Sequence, residues 1–198
     1  MNEEKRCLYL LSCLPGMTNN RLMKLYLAAG SFAEAYAMEA EELVSLGCFD
    51  SLEKSFDFCG RKEREDRLIE ELSGFERKGI RLISFLDEDY PKRLEGLPDA
   101  PCLLYVKGRL PSDGIPSAAI IGGRRCSGYG TYAAEHIARL LSERGVQIIS
   151  GMALGIDSAA QRAALSGGHD SFSVLGGGVE VCYPGASRDI YELVAGGR

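Results

Sequence analysis

The fold is decided by the stretch AAIIGGRRCSGYG at residues 118–130, which continues as TYAAEHIARLLSE (131–143) and RGVQIISGMALGID (144–157). Two short apolar runs that end in glycine, with an amphipathic helix between them, are typical of a strand–helix–strand crossover in a parallel sheet. The stripe of this helix expected to pack on the sheet comprises Ala134, Ile137, Ala138 and Leu141. Both glycine turns then lie at the carboxyl ends of neighbouring strands, where open α/β sheets bind their ligands.

The two glycine turns offer the chemistry of a phosphate site. Gly122, Gly123 and Gly151 lack the side chain that would keep an anion away from backbone N–H groups, and the helix after each turn adds partial positive charge. Arg124 and Arg125 follow directly, and a planar guanidinium matches two phosphate oxygens. The sequence has neither the G-x-G-x-x-G pattern at this turn nor a G-K-[ST] Walker signature. It therefore predicts phosphate binding without the usual nucleotide motif.

A series of ordered motifs resembles one protein family. The motifs are DEDYPKRL (87–94), APCLLYVKG (100–108), IIGGRRCSGYG (120–130), SGMALGIDSAA (150–160), VLGGG (174–178) and YP (183–184). They resemble the successive motifs of the DNA-processing protein A (DprA/Smf) family. The resemblance implies an α/β fold: a Rossmann-like open parallel sheet with flanking helices, preceded by a small all-α region of the helix-hairpin-helix or sterile-alpha-motif type.

Two domains are expected along the chain. Its 198 residues, 45% of them hydrophobic, can bury a substantial core. We predict a helical N-terminal domain over residues 1–78 and a Rossmann-like DNA-binding domain over 79–198, with four or five parallel strands. Family members continue with further strands after the last helix, so the resemblance implies a domain that is incomplete at its C-terminus.

Charge and cysteine usage narrow the function classes. The net charge is −5, and residues 115–198 balance seven arginines against seven acidic residues, so a DNA contact is expected in a local pocket and not on a basic face. The seven cysteines form no C-x-x-C pair, which favours reduced thiols over disulfides or zinc. No apolar run approaches the length of a membrane span. We therefore expect a cytoplasmic protein without a metal site or a membrane contact.

The family resemblance also implies a function. DprA proteins bind single-stranded DNA taken up in natural transformation, protect it, and help to load the RecA recombinase onto it, working as dimers. For this chain the resemblance implies a competence protein that binds single-stranded DNA and RecA, forms a homodimer, and has no catalytic residue or cofactor. Such binding is sequence-independent and weakens as salt rises. The implied DNA- and phosphate-binding residues are Gly122, Gly123, Arg124, Arg125, Ser127, Ser150, Gly151, Asp157 and Gly177.

Several alternatives stay open at this point. Asp157 can cap the helix that it begins, or it can shape the pocket. A competing function is a nucleotide-binding hydrolase of the lysine-decarboxylase-like type, in which Asp157 or Glu180 would be the general acid or base. The Pro-Gly-Gly-x-Gly-Thr motif of that type is absent. A third alternative is a chain that folds only as an interaction scaffold.

Three positions depart from the family pattern. Gln161 stands where the family usually has histidine, and its amide could keep a hydrogen bond. Asp170 stands where many members have a basic residue, so a DNA-contacting cation is expected to be missing there or replaced by His169. Ser187 stands where Tyr-Pro-x-x-Asn would place asparagine.

Overall fold

A computed structural model of the protein describes residues 2–49, 58 and 60–197. The chain divides into two units, Met1–Tyr90 with Leu94–Leu104, and Pro91–Arg93 with Tyr105–Arg198. The predicted domain boundary after residue 78 stays a prediction, because contacts alone do not show which part folds independently.

The first unit is mainly helical. Its helices are α1 (Glu3–Ser12), α2 (Asn19–Ala29), α3 (Phe32–Ala37), α4 (Ala40–Ser45) and α5 (Arg61–Arg77). Thr18 caps α2 by accepting a hydrogen bond from the Arg21 N–H at 3.2 Å, and Gly30 ends that helix in the left-handed region with φ 88°. Strand β1 (Ile80–Ser84) pairs in a two-stranded sheet with β2 (Leu103–Lys107), whose first two residues belong to this unit. The core of the unit includes Leu8, Leu11, Leu25, Phe32 and Leu43. The predicted N-terminal helical region is confirmed.

The second unit is built on a parallel sheet in the order β3-β4-β5. Its elements are β3 (Ser117–Ala119), α6 (Gly128–Ser142), β4 (Gln147–Ser150), α7 (Ile156–Ser166), β5 (Ser171–Ser173) and α8 (Arg188–Ala195). Helix α6 connects β3 to β4, and α7 connects β4 to β5. Two right-handed crossovers that run in the same direction place their helices on one face of a sheet. The buried alanines of α6 and α7 form one cluster with Ile148, and these small side chains let the two helices approach closely. The predicted α/β class is confirmed.

The structure differs from the expected second unit in two details. The parallel sheet has three strands within the described residues, not four or five, because after β5 only the Val174 N–H continues the ladder, donating to the Ser150 carbonyl at 2.9 Å. Helix α6 begins at Gly128, one turn before the predicted start at residue 131. The earlier start follows from Ser127, whose hydroxyl accepts from the Gly130 N–H at 3.1 Å.

An ion pair joins the last two helices of the second unit. The Arg162 Nε donates to the Asp189 Oδ2 at 2.7 Å, and this hydrogen bond holds the pKa of Asp189 below its usual value. Six cysteines are free thiols, and Cys59 lies outside the described residues. In the described ranges, no group of three or more histidine, cysteine or acidic residues is arranged to hold a metal ion. None of the helices described is both long and apolar enough to cross a membrane.

Candidate nucleic-acid interface

Loops at the carboxyl ends of the three parallel strands surround a cleft. The loop after β3 contributes Arg124, the loop after β4 contributes Gly151 and Leu154, and the loop after β5 contributes residues 175–178. Tyr183 and Pro184 complete the wall of a space of about 300 Å³. The cleft therefore lies at the sheet edge where the sequence places a ligand site.

Asp157 joins the two glycine turns beneath this cleft. Its carboxylate accepts the Gly122 N–H at 3.2 Å through Oδ1 and the Gly151 N–H at 3.1 Å through Oδ2, and the residue is 6% exposed. The N-cap residue of α7 is Gly155, which provides no side-chain cap. The Asp157 carboxylate therefore ties the turn after β3 to the turn after β4, and its role in shaping a DNA pocket stays a prediction.

This arrangement changes the expected roles of the glycines. The amides of Gly122 and Gly151 were expected to receive a phosphate, but they donate to Asp157 instead. A Cβ atom on Gly122 would lie 2.7 Å from Ile156 Cγ1, and one on Gly151 would lie 2.8 Å from Asp157 Oδ2. Tight packing of each turn against the start of α7 therefore explains both glycines, because a side chain at either position would overlap Ile156 or Asp157.

The two predicted serines have local structural roles. The Ser150 hydroxyl donates to the Ile120 carbonyl at 2.6 Å and is buried, so it ties the end of β4 to the end of β3 and does not face the cleft. Ser127 is exposed and caps α6. The first N–H groups of that helix therefore follow the Arg124–Arg125 turn directly in the chain. A contact of either serine with DNA stays a prediction.

The two arginines that follow Gly123 in the chain, Arg124 and Arg125, are both exposed. Within the described ranges, no hydrogen bond or ion pair engages either guanidinium. Three arginines of this unit, by contrast, bind carboxylates closely, in the pairs Arg93–Asp113, Arg109–Asp170 and Arg162–Asp189. Because those guanidiniums are engaged and these two are not, the Arg124–Arg125 turn is well placed to bind an anion from outside the chain.

The other walls of the cleft are glycine backbone and apolar side chains. Leu154, Val181 and Tyr183 are 45%, 54% and 72% exposed. Gly177, predicted in the site, lines the cleft, and a Cβ there would meet nothing within 4 Å. Sequence reasoning missed Leu154 and Val181, although apolar residues inside glycine-rich loops at a strand end were the available signal.

The backbone beside the cleft carries one unusual conformation. Met152 has φ 58°, in the left-handed region that non-glycine residues seldom adopt. Its side chain is fully buried with Leu165 and Ile190. Burial of this side chain offsets the strain of the backbone in the turn after β4.

Comparison with known proteins identifies the family. Residues 81–197 match the family described as DNA recombination-mediator protein A. The chain belongs to this family. It is similar to the DNA processing protein DprA of Streptococcus pneumoniae, with 40% identity over 111 residues that cover 56% of this chain and 39% of that protein. It is also similar to Protein Smf of Escherichia coli, with 36% identity over 113 residues that cover 57% of this chain and 30% of that protein.

A solved structure of the family extends the similarity to nearly the whole chain. The X-ray structure of Streptococcus pneumoniae DprA aligns with a TM-score of 0.75 and 28% identity, covering 98% of this chain and 65% of that one. The matched regions amount to 39% and 30% of the two curated relatives. The DprA fold is therefore shown here for the part of the family's length that this chain spans.

The three departures from the DprA pattern have separate environments. The Gln161 amide keeps hydrogen bonds, as expected, and Nε2 donates to Ser173 Oγ at 2.9 Å and to the Phe172 carbonyl at 3.2 Å. Asp170 pairs with Arg109 at 2.6 Å. Ser187 is fully buried, and its hydroxyl has no hydrogen-bond partner among the described residues. None of the three residues lines the cleft.

Proposed function

We propose that this DprA family member binds single-stranded DNA without sequence preference, through the cleft at Arg124. One observation carries the proposal: among the described residues that line the cleft, Arg124 alone is charged, and no internal partner engages it. A guanidinium can hold a backbone phosphate by two hydrogen bonds, while the apolar walls accept the faces of a sugar or a base. The walls present few groups that could distinguish base edges, so the binding is expected to be indifferent to sequence.

Backbone N–H groups are expected to contribute less to phosphate binding than the sequence predicts. Asp157 engages the amides of Gly122 and Gly151, so the phosphate contact rests mainly on Arg124, with Arg125 beside it. The open glycines 176–178 allow the strand to pass close to the opposite wall, because a Cβ at any of them would meet nothing within 4 Å. The binding free energy is therefore expected to come from the arginines and from apolar contact.

The wider role is part of the same proposal. We propose that the protein protects single-stranded DNA and helps to load the RecA recombinase onto it in the cytoplasm during natural transformation, as a homodimer. The family description, DNA recombination-mediator protein A, supports a recombinase partner, and the relatives named DNA processing protein support a DNA substrate.

The hydrolase alternative has less support. A general acid or base must reach the bond that it acts on. Asp157 is 6% exposed, and its two oxygens accept the amides of Gly122 and Gly151. Glu180 is exposed and does not line the cleft. We therefore favour a binding protein over a nucleotide hydrolase.

Replacing Arg124 tests the proposed site. Arg124→Ala is expected to weaken binding of fluorescein-labelled oligo-dT about tenfold, because a charge-assisted phosphate contact contributes about 1.4 kcal/mol. The slope of log affinity against log salt should also fall by about one, since one phosphate contact is lost. Fluorescence anisotropy over a salt series measures both quantities.

Two further variants make the comparison specific. Arg109→Ala removes an exposed arginine of the same unit whose guanidinium pairs with Asp170, and it should bind DNA like the wild type. Arg124→Lys should keep the salt slope but lose part of the affinity, because an ammonium cannot form the two-pronged contact. Equal affinity and equal slope for Arg124→Ala and the wild type would remove this cleft from the DNA site.

A further inference from the structure

We propose that an aromatic stripe on the outward side of α6 stacks the bases of single-stranded DNA as the strand leaves the cleft. The stripe consists of Tyr129, Tyr132 and His136. This inference rests on the proposed function, since it concerns the path of the same strand. It adds a second binding element that contacts bases, where the cleft binds the phosphate.

The stripe is exposed to an extent that core packing does not explain. Tyr129 is 80% exposed and Tyr132 is 62% exposed. The spacing of residues 129, 132 and 136 places them along one side of the helix. The opposite side of α6 carries Ala134 and Ala138, which are buried in the core of the unit. The rings therefore contribute little to the fold, and their flat faces are available to a ligand.

Two of the rings are already arranged as a stack. Tyr132 and His136 have centroids 5.7 Å apart and ring planes inclined by 7°. Because the planes are parallel, a base placed on the outer face of either ring continues the same stacking direction. Every base has such a face, so this contact, like the one proposed for the cleft, does not depend on sequence.

The position and charge of the stripe favour DNA as its occupant. Its first residue, Tyr129, follows Arg124 and Arg125 by five and four positions in the chain, and these arginines take the phosphate in the proposed site. Arg139, exposed on the same side one turn beyond His136, offers a second cation to the backbone. From Tyr129 to Arg139 the helix rises about 15 Å, enough for a few bases. Glu135 lies exposed beside the stripe and Glu143 follows beyond Arg139, so these two carboxylates limit the path of a polyanion on this side of the helix.

A second copy of the chain is the competing occupant. Ile137 and Leu140, which flank the stripe, are 49% and 38% exposed, and aliphatic residues of this kind suit a protein interface. The charge pattern decides between the two occupants, because the stripe lies between Arg125 and Arg139, and polyanion binding uses cations at both ends. We therefore assign the stripe to DNA, and the test below includes a measurement of the oligomeric state.

The test compares DNA that has bases with DNA that lacks them. Tyr132→Ala should weaken binding of oligo-dT roughly tenfold, because stacking on one aromatic ring is lost. Its affinity for an abasic oligonucleotide of equal length should match that of the wild type, and the salt slope should not change, since tyrosine carries no charge. Tyr132→Phe keeps the ring and should bind like the wild type. His136→Ala should also weaken binding of oligo-dT and not of the abasic oligonucleotide, but by a smaller factor.

The outcomes separate this inference from the proposed function. If Arg124→Ala loses affinity while Tyr132→Ala binds oligo-dT like the wild type, the stacking track is overturned and the cleft stands. If the wild type binds neither oligonucleotide, the proposed function is overturned as well. If Tyr132→Ala loses affinity equally for both oligonucleotides, or changes the sedimentation coefficient of the free protein, the stripe is an interface between protein copies and the inference is wrong.

Discussion

Replacing Gly155 by alanine is expected to destabilise the second unit by about 3–5 kcal/mol, among the largest effects of any single substitution in it. Gly155 has φ 83° and ψ −126°, a conformation that side chains strongly disfavour. A Cβ there would lie 2.3 Å from the Gly123 carbonyl oxygen and 2.8 Å from that of Arg124. Both contacts are with backbone, so the loop that carries Arg124 must move.

Urea denaturation followed by circular dichroism measures this loss. Gly145→Ala is a matched control, because Gly145 also has a positive φ, 77°, but a Cβ there would meet nothing within 4 Å. Gly145→Ala should lower the free energy of unfolding by about 1 kcal/mol, which is the cost of the backbone strain alone. Should the two variants be destabilised equally, the close approach of Gly155 to the Arg124 loop would not be what requires glycine.

Removal of the buried Asp157 carboxylate is also expected to lower the stability of the protein substantially. Asp157→Ala should lower the free energy of unfolding by about 3 kcal/mol, because a buried carboxylate that accepts two backbone N–H groups is lost. Asp157→Asn keeps the size of the side chain but has only one oxygen, so it should lie between the alanine variant and the wild type. The glycine turns should then separate, and oligo-dT affinity should fall in the same order as stability.

An exposed acidic residue is the control for Asp157. Asp189→Ala removes the partner of Arg162, and its side chain is 53% exposed, so the expected loss is about 0.5 kcal/mol. Its oligo-dT affinity should equal that of the wild type, since neither residue lines the cleft. Wild-type stability in Asp157→Ala would mean that the carboxylate does not hold the two turns together in solution.

Local sequence signals predicted the elements around the site well. The apolar runs before Gly122 and Gly151 became β3 and β4, and the stripe of Ala134, Ala138 and Leu141 packs inward from α6. These predictions succeeded because each rests on neighbouring residues and on a fixed period. Ile137, assigned to the same stripe, is 49% exposed, because it lies at the edge of the buried face of α6 that carries Ala134 and Ala138.

The interactions inside the site could not be predicted in the same way. A glycine at the end of a strand looks the same in the sequence whether it makes room for an anion or for a neighbouring segment of the chain. The bond from the Gly122 amide to Asp157 spans 35 positions, and only the folded chain shows that this carboxylate occupies the place expected for a phosphate. The outward direction of Tyr132 is also set by which side of α6 the sheet covers.

Photocrosslinking tests the central claim most directly. Wild-type protein bound to an oligo-dT that contains 4-thiothymidine would be irradiated and digested, and the crosslinked peptides would be identified by mass spectrometry. We expect crosslinks within residues 121–132 and 174–184, and their loss in Arg124→Ala but not in Arg109→Ala. Crosslinks confined to residues 2–49, with the same yield in Arg124→Ala, would contradict the claim that the Arg124 cleft holds single-stranded DNA.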